Sequence, residues 1–186
     1  MPSIRYRWSH VISIILLVSV FWTLFYQNTF KIQKNEIFTL FITADYVDSK
    51  ALENQVQSEL TNYGIRKVVI IYISENDTYF TTQLMTRGLF DSDLLILTKS
   101  FLNEFRLDEQ FKPMDTTSLS SLTWTVHTLD ILDQPFALEI YEAEGSNHFG
   151  FNSVFDETQD YYVVFNKNTI HEDALIYTAL QSILKS

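Results

Sequence analysis

The sequence predicts one α/β domain, with a mostly parallel sheet flanked by helices, joined to a single amino-terminal transmembrane helix. Residues 37–98 alternate strand, helix, strand, helix, strand, which is the order that parallel sheets with right-handed crossovers produce. An uncharged run from Trp8 to Phe30 would reach about 34 Å as a helix, long enough to cross a bilayer. The length of 186 residues accommodates one ordinary domain and a small appendage.

Three short apolar runs are the predicted parallel strands. They are Ile37–Thr43, Val68–Ile73 and Leu94–Leu97, and the first two are rich in β-branched residues. Short apolar runs of this kind are typical of strands that are buried on both faces. Right-handed crossovers would place them in the order second, first, third.

The helices between these strands are predicted from apolar spacing and end signals. Residues 49–63 carry apolar side chains four positions apart, which lie on one helical face. Asp48 or Ser49 can cap the start of this helix, and Gly64 stands where helices often end. A second helix is predicted over residues 78–87.

Further elements follow the third strand. Residues 99–105 are predicted to form a short helix and residues 106–115 a loop. Residues 125–132 and 136–141 are predicted to pair as a hairpin around a turn at 133–135.

In the last part of the chain we predict a strand, a helix after it and a loop before it. The strand covers residues 161–165, and Asn168 or Thr169 opens the helix, because Thr169 and Glu172 have capping-box spacing. Residues 142–160 are acidic and lack periodicity, but they contain several phenylalanines. This composition predicts a loop that packs down onto the domain.

These patterns predict a core shared by strands and helices. A register shifted by one residue would exchange the buried and exposed residues of a strand, because adjacent residues of a strand face opposite sides of a sheet. The predicted core residues are Phe38, Leu40, Ile42, Leu52, Val56, Leu60, Val69, Ile71, Leu95, Leu97, Val163, Phe165, Leu175, Ala179 and Ile183.

Charge and cysteine content exclude several classes of function. The formal net charge is −10, and all 23 acidic residues but only nine of the 13 basic ones lie beyond residue 35. That part of the chain, at −14, should be repelled by nucleic acid and by anionic lipid. The absence of cysteine excludes disulfides, thiol catalysis and thiolate metal sites.

The chain is divided by these features into a cytoplasmic tail (1–10), a transmembrane anchor (11–28), a linker (29–36) and an extracellular domain (37–186). The anchor has two alternatives, a cleaved signal peptide and a buried core helix. Small residues at the spacing of a cleavage site are missing, which favours an uncleaved anchor.

The orientation of the anchor depends on its flanking charges. Arg5 and Arg7 precede it, and Lys31 and Lys34 follow it, so the side chains alone are balanced. The α-amino charge of the short tail favours a cytoplasmic amino terminus. We therefore expect a single-pass protein of the cell membrane with its carboxyl-terminal domain outside.

Five segments, taken in order, carry a family resemblance. They are Ile37 to Tyr46, Asp91 to Leu97, Phe111 to Asp115, Leu132 to Tyr141, and residues 162–184. In this order they resemble the first lobe of extracellular solute-binding proteins, the substrate receptors of ABC importers. The resemblance covers most of the chain beyond residue 36.

The chain departs from that family in two ways. A full receptor has a second lobe between the hairpin and the returning strand, where this chain has only residues 142–160. Glu139 stands in place of the hairpin proline of the family, and the turn glycine is absent. The resemblance therefore implies a single lobe, which would bind a small solute (a sugar, peptide or amino acid) or an ABC permease.

The predicted strand order locates a site. It reverses between the first and third strands, and ligands in open α/β sheets bind beyond the carboxyl ends at such a reversal. Tyr46 could stack on a flat ligand, and Asp45 or Lys99 could hold a polar group. Alternatively, Asp45 and Asp48 cap the first helix and Tyr46 covers the core. The candidate ligand-binding residues are Asp45, Tyr46, Thr98, Lys99, Glu139 and Tyr141.

The placement of residues 142–160 is also predicted. The resembled receptors leave the first lobe near Tyr141 and return near Tyr161, and a short insert can join those points only if they are close. Tyr141 and Tyr161 should thus be neighbours. The insert should lie over the end that carries Asp45 and Tyr46, either as a reduced pocket or as a plug.

Chemical motifs are weak. The four histidines are scattered without metal-site spacing. Asp91-Ser92-Asp93 resembles the start of a calcium loop but lacks its glycine and terminal glutamate, which favours a turn cap. We expect no enzymatic activity, no metal and no cofactor. Two functions stay open: a membrane-anchored, solute-binding-like protein, and a non-catalytic interaction or sensor module that has lost solute binding.

Overall fold

The structure, a computed structural model, describes residues 4–119, 122, 127–143 and 145–184. It contains two compact units, one ending at Gln33 and the other beginning at Lys34.

The first unit is one long helix, α1 (Ile4–Phe30). Its segment Trp8–Tyr26 has a mean hydropathy of 1.9, and none of that segment is buried. The helix is long and apolar enough to span a membrane. The apolar side chains of this segment are exposed.

The second unit is an α/β domain with helices on both faces of its main sheet. Its helices are α2 (Ser49–Leu60), α3 (Phe80–Gln83), α4 (Leu89–Asp91), α5 (Lys99–Leu102), α6 (Leu107–Gln110), α7 (Thr116–Leu119) and α8 (Asp173–Ile183). Its strands are β1 (Ile37–Thr43), β2 (Tyr46–Val47), β3 (Lys67–Ile73), β4 (Leu94–Thr98), β5 (Phe111–Lys112), β6 (Thr128–Ile131), β7 (Gln134–Tyr141), β8 (Ser153–Val154) and β9 (Tyr161–Asn166).

The main sheet has seven strands in the order β3-β1-β4-β9-β7-β6, with β5 also paired to β9. The second, first, third order predicted for the parallel strands is confirmed. The prediction of a mostly parallel sheet is wrong, because β9 pairs antiparallel with both β4 and β7, and β7 antiparallel with β6. Parallel neighbours need a crossover of a dozen or more residues, which the two-residue turn between β6 and β7 cannot supply.

Helix α2 forms as its end signals predict. Asp48 accepts a hydrogen bond from the backbone N–H of Ala51 at 3.1 Å, which caps the first turn. A 3₁₀ turn, Thr61–Tyr63, follows the helix. Gly64 ends it with φ = 82°, a left-handed conformation that favours glycine.

The sheet separates two apolar clusters. One lies under α2 and α8, and the other under the short helices between Phe80 and Gln110. Two predicted core residues, Val69 and Ile71, are only half-buried, whereas Val68 is buried. The prediction fails there because β3 is an edge strand, and its side chains are covered less than those of central strands.

The connections contain most of the differences from prediction. The hairpin turns at Leu132 and Asp133, whose φ values are 52° and 62°, rather than at 133–135. Residues 106–115, predicted as loop, contain α6 and β5. Part of the predicted 125–132 strand lies outside the described residues.

Two predicted helices also differ. The helix expected over residues 78–87 is split into α3, a π-helical turn over Leu84–Gly88, and α4. Helix α8 starts at Asp173, later than predicted. Thr169 does not cap it, because its hydroxyl donates to the carboxylate of Asp93 instead.

Candidate functional site

The carboxyl ends of β1 and β4 meet at one end of the sheet, as the strand order requires. Asp45 and Tyr46 follow β1 directly, while Thr98 ends β4 and Lys99 begins α5. Glu139 and Tyr141 lie on β7, on the far side of β9 from β4. The structure thus brings the candidate residues to one end of the sheet, although β9 separates the last two from the first four.

Residues 142–160 lie against this end. β8, within that segment, pairs antiparallel with β2, so that Tyr46 and Val154 are opposite each other. The N–H of Asp45 donates to the carbonyl of Val154 at 3.0 Å, and the N–H of Asp48 donates to the carbonyl of Asn152 at 2.9 Å. These backbone bonds hold the segment over the predicted site.

Aromatic packing anchors the same segment. Phe149 is fully buried and Phe155 nearly so, as predicted for the apolar footing of this loop. The ring centroid of Phe155 lies 5.3 Å from that of Tyr141 and 4.5 Å from that of Tyr161. Such aromatic contacts stabilise beyond the area they bury.

A charged contact fixes the two ends of the segment. The carboxylate of Asp160 accepts a hydrogen bond from the N–H of Ala143 at 3.0 Å and pairs with the ammonium of Lys99 at 3.2 Å. The hydrogen bond from Ala143 is the main cause that lowers the pKa of Asp160. The ammonium of Lys99 thus already pairs with a carboxylate of the segment.

Glu139 has a structural contact with Tyr162 on the neighbouring strand. Glu139 accepts a hydrogen bond from the hydroxyl of Tyr162 at 2.9 Å. The ammonium of Lys99 lies 5.9 Å from the centre of the Tyr162 ring, within cation–π distance. Burial is the first cause that raises the pKa of Tyr162, followed by the hydrogen bond to Glu139.

A cavity of about 10 Å³ is left beneath the segment. Its lining residues are Thr43, Ala44, Asp45, Ser74, Glu75, Asn76, Asp156 and Tyr161. This volume holds about one water molecule. The predicted reversal point is therefore filled by the chain itself.

Glu75 belongs to this end of the sheet and was missed by sequence reasoning. The hydroxyl of Thr98 donates to its carboxylate, and burial raises the pKa of Glu75. Burial also raises the pKa of Tyr161 to about 12. No sequence signal marked Glu75, because it lies in a connection whose path is decided by packing.

Of the structural roles considered for the first turn, only the helix cap at Asp48 is present. Asp48 caps α2, whereas Asp45 bonds to the covering segment through its backbone. Tyr46 does not cover the core, because 45% of its surface is exposed. Its ring is accessible from outside the domain.

A buried polar network lies at the other end of β1. The carboxylate of Asp93 accepts from the N–H of Thr39 at 2.8 Å and from the hydroxyl of Thr169 at 2.7 Å. His171 donates from Nε2 to the carbonyl of Ile37 at 2.8 Å and lies 3.8 Å from Asp93. Burial raises the pKa of Asp93. This network joins β1, β4 and the segment before α8.

A larger, open cavity of about 670 Å³ lies near the start of β7 and the end of β9, opposite the predicted site. Phe165 and Tyr177 line it with rings 5.0 Å apart, and Asp115, Asp133 and Asp173 add carboxylates. Sequence reasoning did not find it, because its residues come from loops and helix starts that are distant in sequence.

Neither end of the sheet has a preformed metal site among the described residues: no three His, Asp or Glu side chains there converge on a point that could hold an ion. Comparison of the chain with protein-family models, with curated proteins and with solved structures found no match.

Proposed function

We propose that this chain is a membrane-tethered, non-catalytic interaction module that has lost solute capture at the carboxyl end of its sheet. The observation that carries the proposal is the closure of that end by residues 142–160, which leaves a cavity of about 10 Å³. Sites for drug-sized ligands occupy roughly 300 Å³ or more. A sugar, amino acid or peptide has no room there unless the segment moves away.

The closed end offers a surface for another protein. Tyr46 and Val154 lie opposite each other, and about half of each side chain is exposed. Asp45 precedes Tyr46 directly in the chain, and Asp156 lies two positions after Val154. An exposed aromatic and aliphatic pair with an acidic rim is suited to a partner with an apolar knob and a basic rim. We propose another membrane protein as that partner, and an ABC permease is the form that the family resemblance implies.

The proposed location is the outer face of the cell membrane. Helix α1 supports the tether through its length and hydropathy, and the α-amino charge supports an inside amino terminus. Protease added to intact cells should remove the domain, and it should remove an extracytoplasmic control protein equally. A domain that stays protected until the cells are lysed would contradict the outside orientation.

Melting of the full chain in detergent tests the loss of solute capture. The panel consists of sugars, amino acids and short peptides. A ligand at about 100 times its dissociation constant would stabilise the fold by roughly 2.7 kcal/mol. We expect no compound to raise the melting temperature in a way that depends on Asp45. A rise in the melting temperature that the Asp45→Asn substitution abolishes would overturn the proposed closure.

The open cavity of about 670 Å³ favours a second candidate, a solute-binding-like protein whose ligand binds at the opposite end of the sheet. Its volume is in the range of small-molecule sites. A melting shift that Asp133→Asn weakens and Asp45→Asn leaves unchanged would support this candidate over the first. Asparagine tolerates the positive φ of position 133, so the substitution tests the carboxylate rather than the turn.

A further inference from the structure

We propose that the domain rests on the headgroup layer of the membrane that holds α1, through the amino end of its sheet. The amino end is the end at which β1, β3 and β4 begin, and it carries the exposed side chains of Phe90 and Ile170. The inference rests on the membrane tether of the proposed function and goes beyond it, because it assigns the face that the domain turns to the lipid.

The connection between α1 and the domain is short. Helix α1 ends at Phe30 and the domain begins at Lys34, and these four residue steps reach about 14 Å when fully extended. The apolar segment ends at Tyr26, and four further helical residues rise about 6 Å, which is close to the thickness of one headgroup layer. In a membrane, Lys34 therefore lies within about 14 Å of the lipid surface.

Lys34 is held at the amino end of the sheet. Its ammonium pairs with the carboxylate of Asp91 at 3.5 Å, and the 3₁₀ turn Lys34–Glu36 leads directly into β1. Glu36 in turn pairs with Arg66, which immediately precedes β3, at 3.6 Å. The short connection thus brings this end of the sheet toward the lipid, rather than the end that residues 142–160 close.

Two large apolar side chains are exposed at the amino end. Phe90 is 69% exposed and Ile170 is 55% exposed. They belong to segments that touch, because the Nδ2 group of Asn168 donates to the carbonyl of Leu89 at 3.1 Å. The segment of Ile170 also reaches the start of β1, where His171 bonds to the carbonyl of Ile37. Apolar side chains of this kind are stabilised at the boundary between headgroups and acyl chains.

A third exposed apolar residue lies at the same end. Strand β9 runs antiparallel to β4, and β7 runs antiparallel to β9, so β7 begins at the amino end. The turn before β7 contains Leu132, which is 93% exposed. Contacts on both sides of β9 would hold the amino end as a plane against the lipid rather than at a single point.

Charge complementarity also favours a phospholipid surface. Lys67 opens β3, and Arg87 precedes Gly88, whose carbonyl accepts a hydrogen bond from Asn166 at the end of β9. Both cations are exposed, and among the described residues no carboxylate pairs with either. Lysine and arginine form charge-assisted hydrogen bonds with phosphate groups, which every phospholipid headgroup layer supplies.

The opposite end of the sheet is suited to face away from the lipid. Asp45, Glu75 and Asp156 line one small cavity there. The repulsion from anionic lipid that the net charge predicts therefore acts on the carboxyl end and supports the same orientation. The docked domain would present Tyr46 and Val154 to the partner proposed above.

A pair of labelled cysteines tests the orientation. The chain has no cysteine, so Ile170→Cys and Val154→Cys can each carry one fluorescent label. The two positions are matched, because both are aliphatic, they are 55% and 52% exposed, and they lie at opposite ends of the sheet. The full chain is placed in phosphatidylcholine nanodiscs with a quencher on the headgroup of some lipids. We expect several-fold stronger quenching at position 170. Equal quenching, or stronger quenching at position 154, would overturn the proposal.

A second experiment separates contact from mere proximity. Phe90→Ser removes one apolar contact, and Tyr79→Ser is the matched control, because Tyr79 is 68% exposed and lies beyond the carboxyl end of β3. With the label at position 170, we expect Phe90→Ser to lower the quenching several-fold and Tyr79→Ser to leave it unchanged. Both variants should keep the circular dichroism spectrum and melting temperature of the parent, since both rings are exposed. Quenching that a folded Phe90→Ser chain retains in full would overturn the docking.

Extraction with alkaline carbonate distinguishes failure of the docking from failure of the tether. The labelled full chain in phosphatidylcholine liposomes should stay in the membrane fraction. Release by carbonate would overturn the tether, and the docking with it. Retention of a chain whose two labels are equally quenched would overturn the docking alone.

Discussion

Tyr141 of β7 and Tyr161 of β9 lie opposite each other, and their rings meet edge to face with centroids 5.7 Å apart. The chain leaves the sheet at the first residue and returns at the second. Residues 142–160 consequently begin and end at one point and fold over the carboxyl end of the sheet. The sequence predicted that these two tyrosines are close to each other, and this prediction is confirmed.

Phe155→Ala should loosen the segment that closes this end. The ring is 6% exposed and contacts Phe149, Tyr141 and Tyr161. We expect a loss of about 3–4 kcal/mol in the free energy of unfolding, measured by denaturant titration, and faster proteolysis within residues 142–160. Phe151→Ala is the control, since Phe151 is only partly buried and should cost less. Equal losses would contradict the anchoring role of Phe155.

Asp160→Asn should weaken the closure in a pH-dependent way. The folded pKa of Asp160 is lowered from its ordinary 3.8. Its contribution is therefore present above that value and lost as the pH falls through the lower folded value. We expect Asp160→Asn to lose about 1.5–2 kcal/mol at pH 7, the low end for hydrogen bonds to charged groups, because its ion pair with Lys99 is partly exposed. As the pH falls through the lowered folded pKa of Asp160, the stabilities of the two proteins should converge; a constant difference would contradict this assignment.

Asp93→Ala should be among the most damaging polar substitutions. It leaves the buried N–H of Thr39 and the hydroxyl of Thr169 without their acceptor. We expect a loss of about 3 kcal/mol by thermal or denaturant unfolding. Asp93→Asn keeps one acceptor oxygen and should lose less.

The pH response of Asp93 should be opposite in sign to that of Asp160. Burial raises the folded pKa of Asp93 above 3.8, so the stability linked to this group is present below that value. It falls as the pH rises through the folded pKa. Asp93→Asn should abolish this component of the stability curve. A curve unchanged by the substitution would contradict it.

The hairpin turn can be improved. Leu132 and Asp133 both adopt positive φ, which a type I′ turn requires and which Asn and Gly favour. Leu132 is 93% exposed, so replacing it removes almost no buried contact. Leu132→Asn with Asp133→Gly should raise the free energy of unfolding by about 1 kcal/mol. Leu132→Ala, which does not favour positive φ, should give no gain; equal gains would contradict the turn-based explanation.

The sequence by itself determined the features that follow from local patterns. Apolar runs placed β1, β3 and β4, and their connections determined the order of these strands. The spacing of apolar residues and the end signals Asp48 and Gly64 determined α2. The length and hydropathy of Trp8–Tyr26 determined that one helix could cross a membrane. Each of these signals is carried within one short stretch of chain.

The tertiary structure decided what depends on contacts between distant residues. Thr169 has the sequence signature of a cap, yet its hydroxyl bonds to Asp93, 76 positions away. The half-exposure of Val69 and Ile71 depends on β3 having a neighbour on one side only. The size of the cavity beneath residues 142–160 depends on how β8 meets β2. Periodicity reports which face of an element is apolar, but it does not report what packs against that face.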